Sequence, residues 1–123
     1  MSDPRKQTWT IPTSDSDGIS EDYIDMQYLH LCGLDLPAMT ADTTAIGFLH
    51  CLTSDGTYTP VYKSDGTRLT LAASDAAATR VQTEPGLFSG FRYLKIQALD
   101  AAGDAVQQTT SDREVTPAIR NFG

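Results

Sequence analysis

Residues 53–71 read TSDGTYTPVYKSDGTRLTL, and within them the tetrapeptide SDGT occurs twice, ten residues apart. Asp-Gly between two strand patterns is a strong hairpin signal, because Asp tolerates a positive φ angle and Gly adopts one without steric cost. In both copies the alternation of apolar residues stops before the tetrapeptide and begins again after it. The stretch therefore predicts two chain reversals between short β-strands.

The aspartates of these turns are also the first candidates for a metal site. A calcium loop needs roughly six to eight oxygen ligands, and each SDGT supplies a single carboxylate. A third acidic cluster, SDSDG at residues 14–18, contains part of the calcium-loop pattern but lacks the Glu that closes it. We expect turns at all three places, with no bound metal and no cofactor.

Strand patterns recur along most of the chain. They occupy residues 8–11, 29–36, 45–53, 91–99 and 114–120. The segment 45–53 is apolar on both phases, which is typical of a strand covered on both sides. Gly33 predicts a bulge or a bend in its strand, and Pro117 predicts an edge strand because proline cannot donate to a ladder.

Helical patterns are almost absent. The best candidate, SDAAAT at residues 74–79, has a capping residue before alanines but is long enough for only about one turn. Turn clusters roughly every ten residues favour an all-β, antiparallel sandwich or barrel. We expect a single domain at residues 8–120, a flexible arm at 1–7, a tail at 121–123 and a surface loop at 101–112.

The charge of the chain bears on its partners. Sixteen acidic against nine basic residues give a net charge of −7 over 123 residues. An acidic surface without a basic run repels phosphate backbones, so we expect no nucleic-acid binding. No apolar run is long enough to span a membrane, and the first residues do not resemble a signal peptide. Cys32 and Cys51 stand in apolar stretches, which predicts buried, reduced thiols.

Catalytic motifs are missing from the sequence. His30 and His50 stand inside strand patterns without a Cys, Asp or Glu at ligand spacing, so we interpret both as core or interface residues. No nucleophile elbow and no glycine-rich phosphate loop are present. We therefore expect a protein that is not an enzyme.

Two sets of residues are candidates for binding. Tyr58 and Tyr62 flank a proline between the two SDGT turns, and with Asp65 they could form a sugar-stacking site. The arm and tail form the second set, because peptide ends can extend over a neighbouring protein or add a strand to a sheet edge. The candidates in the arm and tail are Arg5, Lys6, Arg120 and Phe122.

Residues 34–120 resemble a family of small structural proteins of tailed bacteriophages and gene transfer agents. The matching elements, in chain order, are LPA at 36–38, the apolar strand 46–52 running into SDGTY at 54–58, VY at 61–62 followed by DG at 65–66, Pro85 and Phe88, GFRYLKI at 90–96, and DR at 112–113. Phe88 together with GFRYLKI at 90–96 resembles the F-x-G-x-R-Y-[IL]-[KR] strand of that family. The chain has Gln107-Gln108 where the family often has Asn-Gln.

This resemblance implies a jelly-roll sandwich that serves as a non-enzymatic virion component, most simply a capsid decoration (cement) protein or the base of a head spike or fibre. The implied partners are the major capsid protein and other virion proteins, with a homo-oligomer such as a trimer left open. The implied location is the virion, assembled in the host cytoplasm. A carbohydrate-binding module for host attachment, using Tyr58, Tyr62 and Asp65, is the alternative.

Overall fold

The computed structural model describes residues 7–27, 29–83, 87–88 and 90–121. In these residues the chain forms nine β-strands and no helix. The strands are β1 (Trp9–Ile11), β2 (Ile24–Asp25), β3 (Leu29–Leu36), β4 (Ala45–Cys51), β5 (Thr59–Pro60), β6 (Thr70–Ala72), β7 (Thr79–Gln82), β8 (Tyr93–Leu99) and β9 (Arg113–Asn121).

These strands form two antiparallel sheets. The first sheet has the order β1-β9-β3-β7, and the second has the order β2-β8-β4-β5, with β6 also paired to β4. The prediction of an all-β antiparallel sandwich is therefore confirmed. No helix in the described part of the chain has the length and apolarity needed to cross a membrane.

Both SDGT copies turn the chain, as predicted. In the first, the Gly56 amide donates to the Thr53 carbonyl at 3.3 Å, and the chain reverses from β4 into β5. In the second, the Lys63 amide donates to the Thr67 carbonyl at 2.7 Å. Gly66 in this turn has a φ angle of +89°, a conformation that costs other residues energy.

The second turn closes a hairpin that interrupts one long strand. β5 and β6 both pair with β4, through Pro60 opposite Leu49 and Thr70 opposite Gly47. Between them Tyr62 bridges to Arg68, and the Leu69 amide returns to the Val61 carbonyl at 3.0 Å. Residues 61–69 are thus an excursion from the edge of the second sheet, and we call them the excursion hairpin.

The core lies between the two sheets and is closed by aromatic rings. Trp9 of the first sheet meets Phe48 of the second edge to face, with ring centroids 6.3 Å apart. The Trp9 indole also donates to the Leu94 carbonyl at 2.9 Å, so the two sheets share a buried hydrogen bond. Other core side chains are Ile11, Ile24, Leu31, Leu34, Ile46, Ile96, Ala98 and Val115.

Three local features test the predictions made from the sequence, of which one is confirmed and two are wrong. The register of β3 against β9 shifts between Leu31 and Gly33, which confirms the predicted bulge. SDAAAT is a bend without a helical turn, in which Ser74 Oγ accepts the Ala76 amide at 3.1 Å. The edge position predicted for the last strand is wrong, because β9 lies between β1 and β3.

Pro117 is nonetheless accommodated by a local edge. β1 pairs with β9 only as far as Val115, whereas β9 continues along β3 to Asn121. Pro117 lies beyond this last pair and opposite Leu34 of β3. Its missing N–H therefore removes no hydrogen bond from the β1–β9 ladder.

The loop at residues 101–112 is mostly exposed, as predicted, but it contains a fully buried amide. Gln108 accepts the Thr40 amide at 2.9 Å and donates to Thr43 Oγ1 and to the Val106 carbonyl, each at 3.2 Å. A buried polar group is stable when its hydrogen bonds are made. Gln108 thereby attaches this loop to the 37–44 segment.

Candidate functional site

The outer face of the second sheet carries the most distinctive side chains of the molecule. In β8, Leu94, Ile96 and Ala98 point into the core, so Tyr93, Lys95 and Gln97 point outward. In β4, the outward positions are the neighbours of these residues, with Leu49 opposite Lys95 and Gly47 opposite Gln97. Leu49 is only 5% exposed, which confirms that the middle of β4 is covered on both sides. The predicted segment 45–53 is too long, because β4 ends at Cys51 and Leu52 is 74% exposed.

Tyrosines gather on this outer face. The ring centroids of Tyr23 and Tyr93 lie 5.1 Å apart in an edge-to-face contact. Lys95 Nζ lies 4.7 Å from the ring centroid of Tyr58. Tyr62 is 59% exposed and is the cross-strand partner of Arg68 in the excursion hairpin. We call the surface formed by Tyr23, Tyr58, Tyr62, Arg68, Arg92, Tyr93, Lys95 and Gln97 the tyrosine face.

Tyr58 is held in place at both ends. Its hydroxyl donates to the Ser54 carbonyl at 3.0 Å, and its ring lies under the Lys95 ammonium. Burial, followed by the neighbouring Cys51, raises the pKa of Tyr58 to about 12. Tyr58 is therefore held by two contacts, and its hydroxyl is neutral at physiological pH.

A paired arginine borders the face on the β2 side. Arg92 Nε donates to one carboxylate oxygen of Asp25 at 2.7 Å, and Nη2 donates to the other at 3.1 Å. The same guanidinium stands over the Tyr93 ring, 4.9 Å from its centroid. This bidentate pair holds both side chains in place, and Asp25 neutralises the charge of Arg92.

Arg68 borders the face on the other side, without such a partner. Its Nη2 donates to Gln97 Oε1 at 2.8 Å, which is its one hydrogen bond to the described residues. Nε is buried and makes no hydrogen bond, and burial lowers the pKa of the guanidinium. The side chain lies over Gly47, where a β-carbon would stand 2.9 Å from Arg68 Cζ.

The three residues expected to bind a sugar differ in exposure and in what they contact. Tyr62 is exposed, but Tyr58 is partly covered, so the two do not form an exposed pair. Asp65 lies at the tip of the excursion hairpin, where Oδ1 accepts the Thr67 amide at 3.0 Å and the Thr67 hydroxyl at 2.7 Å. These bonds lower the pKa of Asp65, and they use the carboxylate for the turn.

The arm and tail candidates fall largely outside the described residues. Arg5, Lys6 and Phe122 lie beyond them. Arg120 is described through its main chain only, which pairs with His30 across β3 and β9. β9 continues to Asn121, the first residue of the expected tail.

His50, Cys32 and Cys51 lie in different environments. His50 packs against Phe91, with ring centroids 4.8 Å apart, and burial lowers its pKa. Cys32 and Cys51 are free thiols in different sheets, and both are partly exposed rather than buried. Among the described residues, no three His, Cys, Asp or Glu side chains are placed to hold a metal ion.

A separate acidic cavity of about 440 Å³ lies just beyond the C-terminal end of β8. It is lined by Asp42, Thr44, Asp75, Asp100, Ala101 and Ala102. Asp75 accepts the Asp42 amide at 3.1 Å, and Asp100 accepts the amides of Ala102 and Asp104, each at 2.9 Å. These carboxylates therefore organise the surrounding loops.

Sequence reasoning missed Arg68 and Gln97 entirely. Arg68 follows the second SDGT and looks like any exposed hairpin residue until the excursion hairpin places it over Gly47. Comparison with family models, curated proteins and solved structures gave no match to the chain. What the fold and the site define is an antiparallel β-sandwich with a tyrosine- and arginine-bearing sheet face.

Proposed function

We propose that this protein is a non-enzymatic virion structural protein of a tailed bacteriophage or gene transfer agent. It would bind the assembled capsid as a decoration protein, or form the base of a head spike or fibre, without a cofactor. Its partners would be the major capsid protein and other virion proteins, including further copies of itself. The motif order from Leu36 to Arg113 and the features described next support this proposal.

The order of strand pairing supports a jelly-roll form of the sandwich. When β5 and β6 are counted as one interrupted strand, β1 pairs with β9, β2 with β8, β3 with β7, and β4 with β5 and β6. The chain is then one nested hairpin with the first SDGT turn at its tip. The β3–β9 pairing joins the β1–β9 and β3–β7 pairs into the first sheet. The β4–β8 pairing joins the β2–β8 pair to β4, β5 and β6 in the second sheet. Jelly rolls of this kind occur in viral capsid and lectin domains.

The direction of the outer strands favours binding by both chain ends. β1 and β9 are antiparallel, with Trp9 opposite Val115. The start of β1 and the end of β9 therefore point toward the same end of the first sheet. Peptides that leave from one end of a sandwich can contact a single neighbouring surface, and Arg5 and Lys6 suit an acidic one.

The tyrosine face is the single observation that carries a binding role. Tyr and Arg are enriched where protein interfaces hold most of their energy. Here all four tyrosines of the described residues share one face with Arg68, Arg92 and Lys95, on a chain whose net charge is −7. Such a face suits a protein surface of opposite charge.

Binding only to the assembled shell would stabilise the shell by mass action. At a free concentration one hundred times its Kd, each bound copy contributes about 2.7 kcal/mol. Many copies across the joints between subunits would add up to a large resistance to expansion or heat.

Cosedimentation with purified capsids from the source culture tests this proposal. We expect saturable binding in fixed ratio to the major capsid protein, and a higher disruption temperature for decorated capsids. Deleting residues 1–7 should reduce retention, and unchanged occupancy would remove the arm from the proposal. Binding no greater than that of an unrelated acidic β-sandwich would contradict the proposal as a whole.

A carbohydrate-binding module is the second candidate, favoured by one observation. Tyr62 is 59% exposed on the same hairpin as Asp65, and exposed aromatic rings beside polar groups can stack on sugars. A glycan array probed with the soluble protein tests it. Binding that is lost in Tyr62→Ala supports this function, whereas no binding at millimolar sugar contradicts it.

A further inference from the structure

Arg68 differs from the other arginines whose side chains the structure describes. Arg80 pairs with Asp35 at 3.1 Å, and Arg92 pairs with Asp25 at 2.7 Å. Arg113 donates to the carbonyl of Ala38 at 3.0 Å. Arg113 has no carboxylate partner among the described residues either, but its guanidinium donates to four oxygens, which belong to Ala38, Ser111 and Thr40. Arg68 likewise has no carboxylate within ion-pair distance among the described residues, and its guanidinium has a single acceptor, although the side chain is half-buried.

A half-buried guanidinium with one neutral acceptor is energetically incomplete. Removing a cation from water is costly unless a charged partner and hydrogen bonds replace the water. Arg68 carries five N–H donors in a planar fork, and one of them is used, by Gln97. Nη1 makes no hydrogen bond to the described residues and is not among the buried unpaired atoms, so it faces solvent.

The surrounding residues hold the fork in a fixed position. Gln97 Nε2 donates to the Asp17 carbonyl at 2.9 Å, which turns its Oε1 toward Arg68. Gly47 leaves room for the guanidinium to lie against the sheet. A preorganised arginine loses little further entropy when a planar acceptor arrives.

We propose that Arg68 is the anchor that receives a carboxylate side chain of a different protein, not a second copy of this chain, docked on the tyrosine face. The inference rests on the proposed function in one respect, namely that the partner is a protein. In this contact, Arg68 Nη1 and the free N–H of Arg68 Nη2 donate to the incoming Asp or Glu. Tyr62, the cross-strand partner of Arg68, flanks the anchor and covers the contact from water, as surrounding residues do at interface hot spots.

A peptide selection tests the anchor without knowledge of the natural partner. The probe is a random twelve-residue peptide library, selected on immobilised wild-type protein, on Arg68→Gln and on Arg80→Gln. The Arg80 variant is the matched control, because Arg80 is an exposed arginine on the other sheet. We expect Asp and Glu to be enriched on the wild type and on Arg80→Gln, and a selected peptide to bind Arg68→Gln about tenfold or more weakly. No acidic enrichment, or the same enrichment on Arg68→Gln, overturns the proposal.

Capsid binding separates failure of the anchor from failure of the proposed function. If the wild type and Arg68→Gln bind capsids equally, the anchor is wrong and the function stands. If the wild type does not bind capsids, the function is wrong, and the peptide selection alone decides the anchor. Selective, Arg68-dependent binding of carboxylated sugars on a glycan array, or Arg68-dependent self-association in sedimentation velocity, assigns the site to another occupant and contradicts the proposal.

A fold control accompanies both experiments. Arg68→Gln should melt no lower than the wild type, because the variant removes a half-buried charge that has no charged partner. A lower melting temperature would mean that the guanidinium stabilises the isolated fold, and this result also contradicts the proposal.

Discussion

The guanidinium of Arg68 occupies the space that a side chain at position 47 would fill. A β-carbon on Gly47 would stand 2.9 Å from Arg68 Cζ and 2.8 Å from Leu99 Cδ1. The two residues are 21 positions apart in the sequence. The excursion hairpin brings them together, and the position of Arg68 on the tyrosine face depends on this contact.

Gly47→Ala should destabilise the fold by about 1–3 kcal/mol, because the added methyl group displaces both neighbours. Urea unfolding measures the change. In an Arg68→Ala background the cost should be smaller, since only Leu99 Cδ1 then stands in the way. Equal costs in the two backgrounds would show that Arg68 does not lie over Gly47.

The titration of Tyr58 should make stability fall at high pH. Burial raises its pKa to about 12, whereas an unfolded tyrosine has a pKa of about 10. Between these values the unfolded chain loses the proton and the folded chain keeps it, so the free energy of unfolding decreases as the pH rises. The stabilising contribution is complete below about pH 10.

Urea unfolding of the wild type and of Tyr58→Phe over that pH range checks this prediction. The variant should be less stable at neutral pH, because it loses the hydrogen bond to Ser54, and its stability should decline less steeply with pH. Identical slopes for the two proteins would contradict the raised pKa.

Gln108→Leu should cost about 2–4 kcal/mol, because it leaves the Thr40 amide, the Thr43 hydroxyl and the Val106 carbonyl without their partner. Gln107→Leu is the matched control, since Gln107 is exposed and makes one hydrogen bond, to the Thr13 carbonyl. Its cost should stay below about 1 kcal/mol. Similar losses in the two variants would mean that the buried amide does not attach the loop.

Calcium should leave the melting temperature unchanged, because Asp65 uses Oδ1 within its own turn. Asp65→Asn keeps an oxygen acceptor and should melt close to the wild type, whereas Asp65→Ala should melt slightly lower. Differential scanning fluorimetry with calcium and with EDTA makes the comparison. A calcium-dependent rise that disappears in Asp65→Ala would establish a metal site instead.

Local sequence rules predicted the framework well. The two Asp-Gly turns, the bulge at Gly33 and the double cover of residues 46–49, within the predicted strand 45–53, all follow from backbone preference and side-chain alternation. Pro117 marks the limit of such rules. Pro117 lies beyond the end of β1, where β9 has no paired neighbour on that side. Because β9 is longer than β1, a central strand has an edge over part of its length.

The candidate site was harder to predict because it depends on register. Arg68 and Gln97 are 29 positions apart, and Gln108 and Thr40 are 68 apart. Nothing near Arg68 in the sequence distinguishes it from Arg80, which forms an ordinary exposed ion pair. Tyr58 and Tyr62 were found from their flanking turns, but their different exposures depend on how the excursion hairpin folds back.

The most direct test is an image reconstruction of particles purified from the source culture. We predict density for this sandwich at the joints between capsid subunits, with the tyrosine face against the capsid and a capsid carboxylate at Arg68. Particles that lack the density, or a sandwich bound with the tyrosine face toward solvent, would contradict the account.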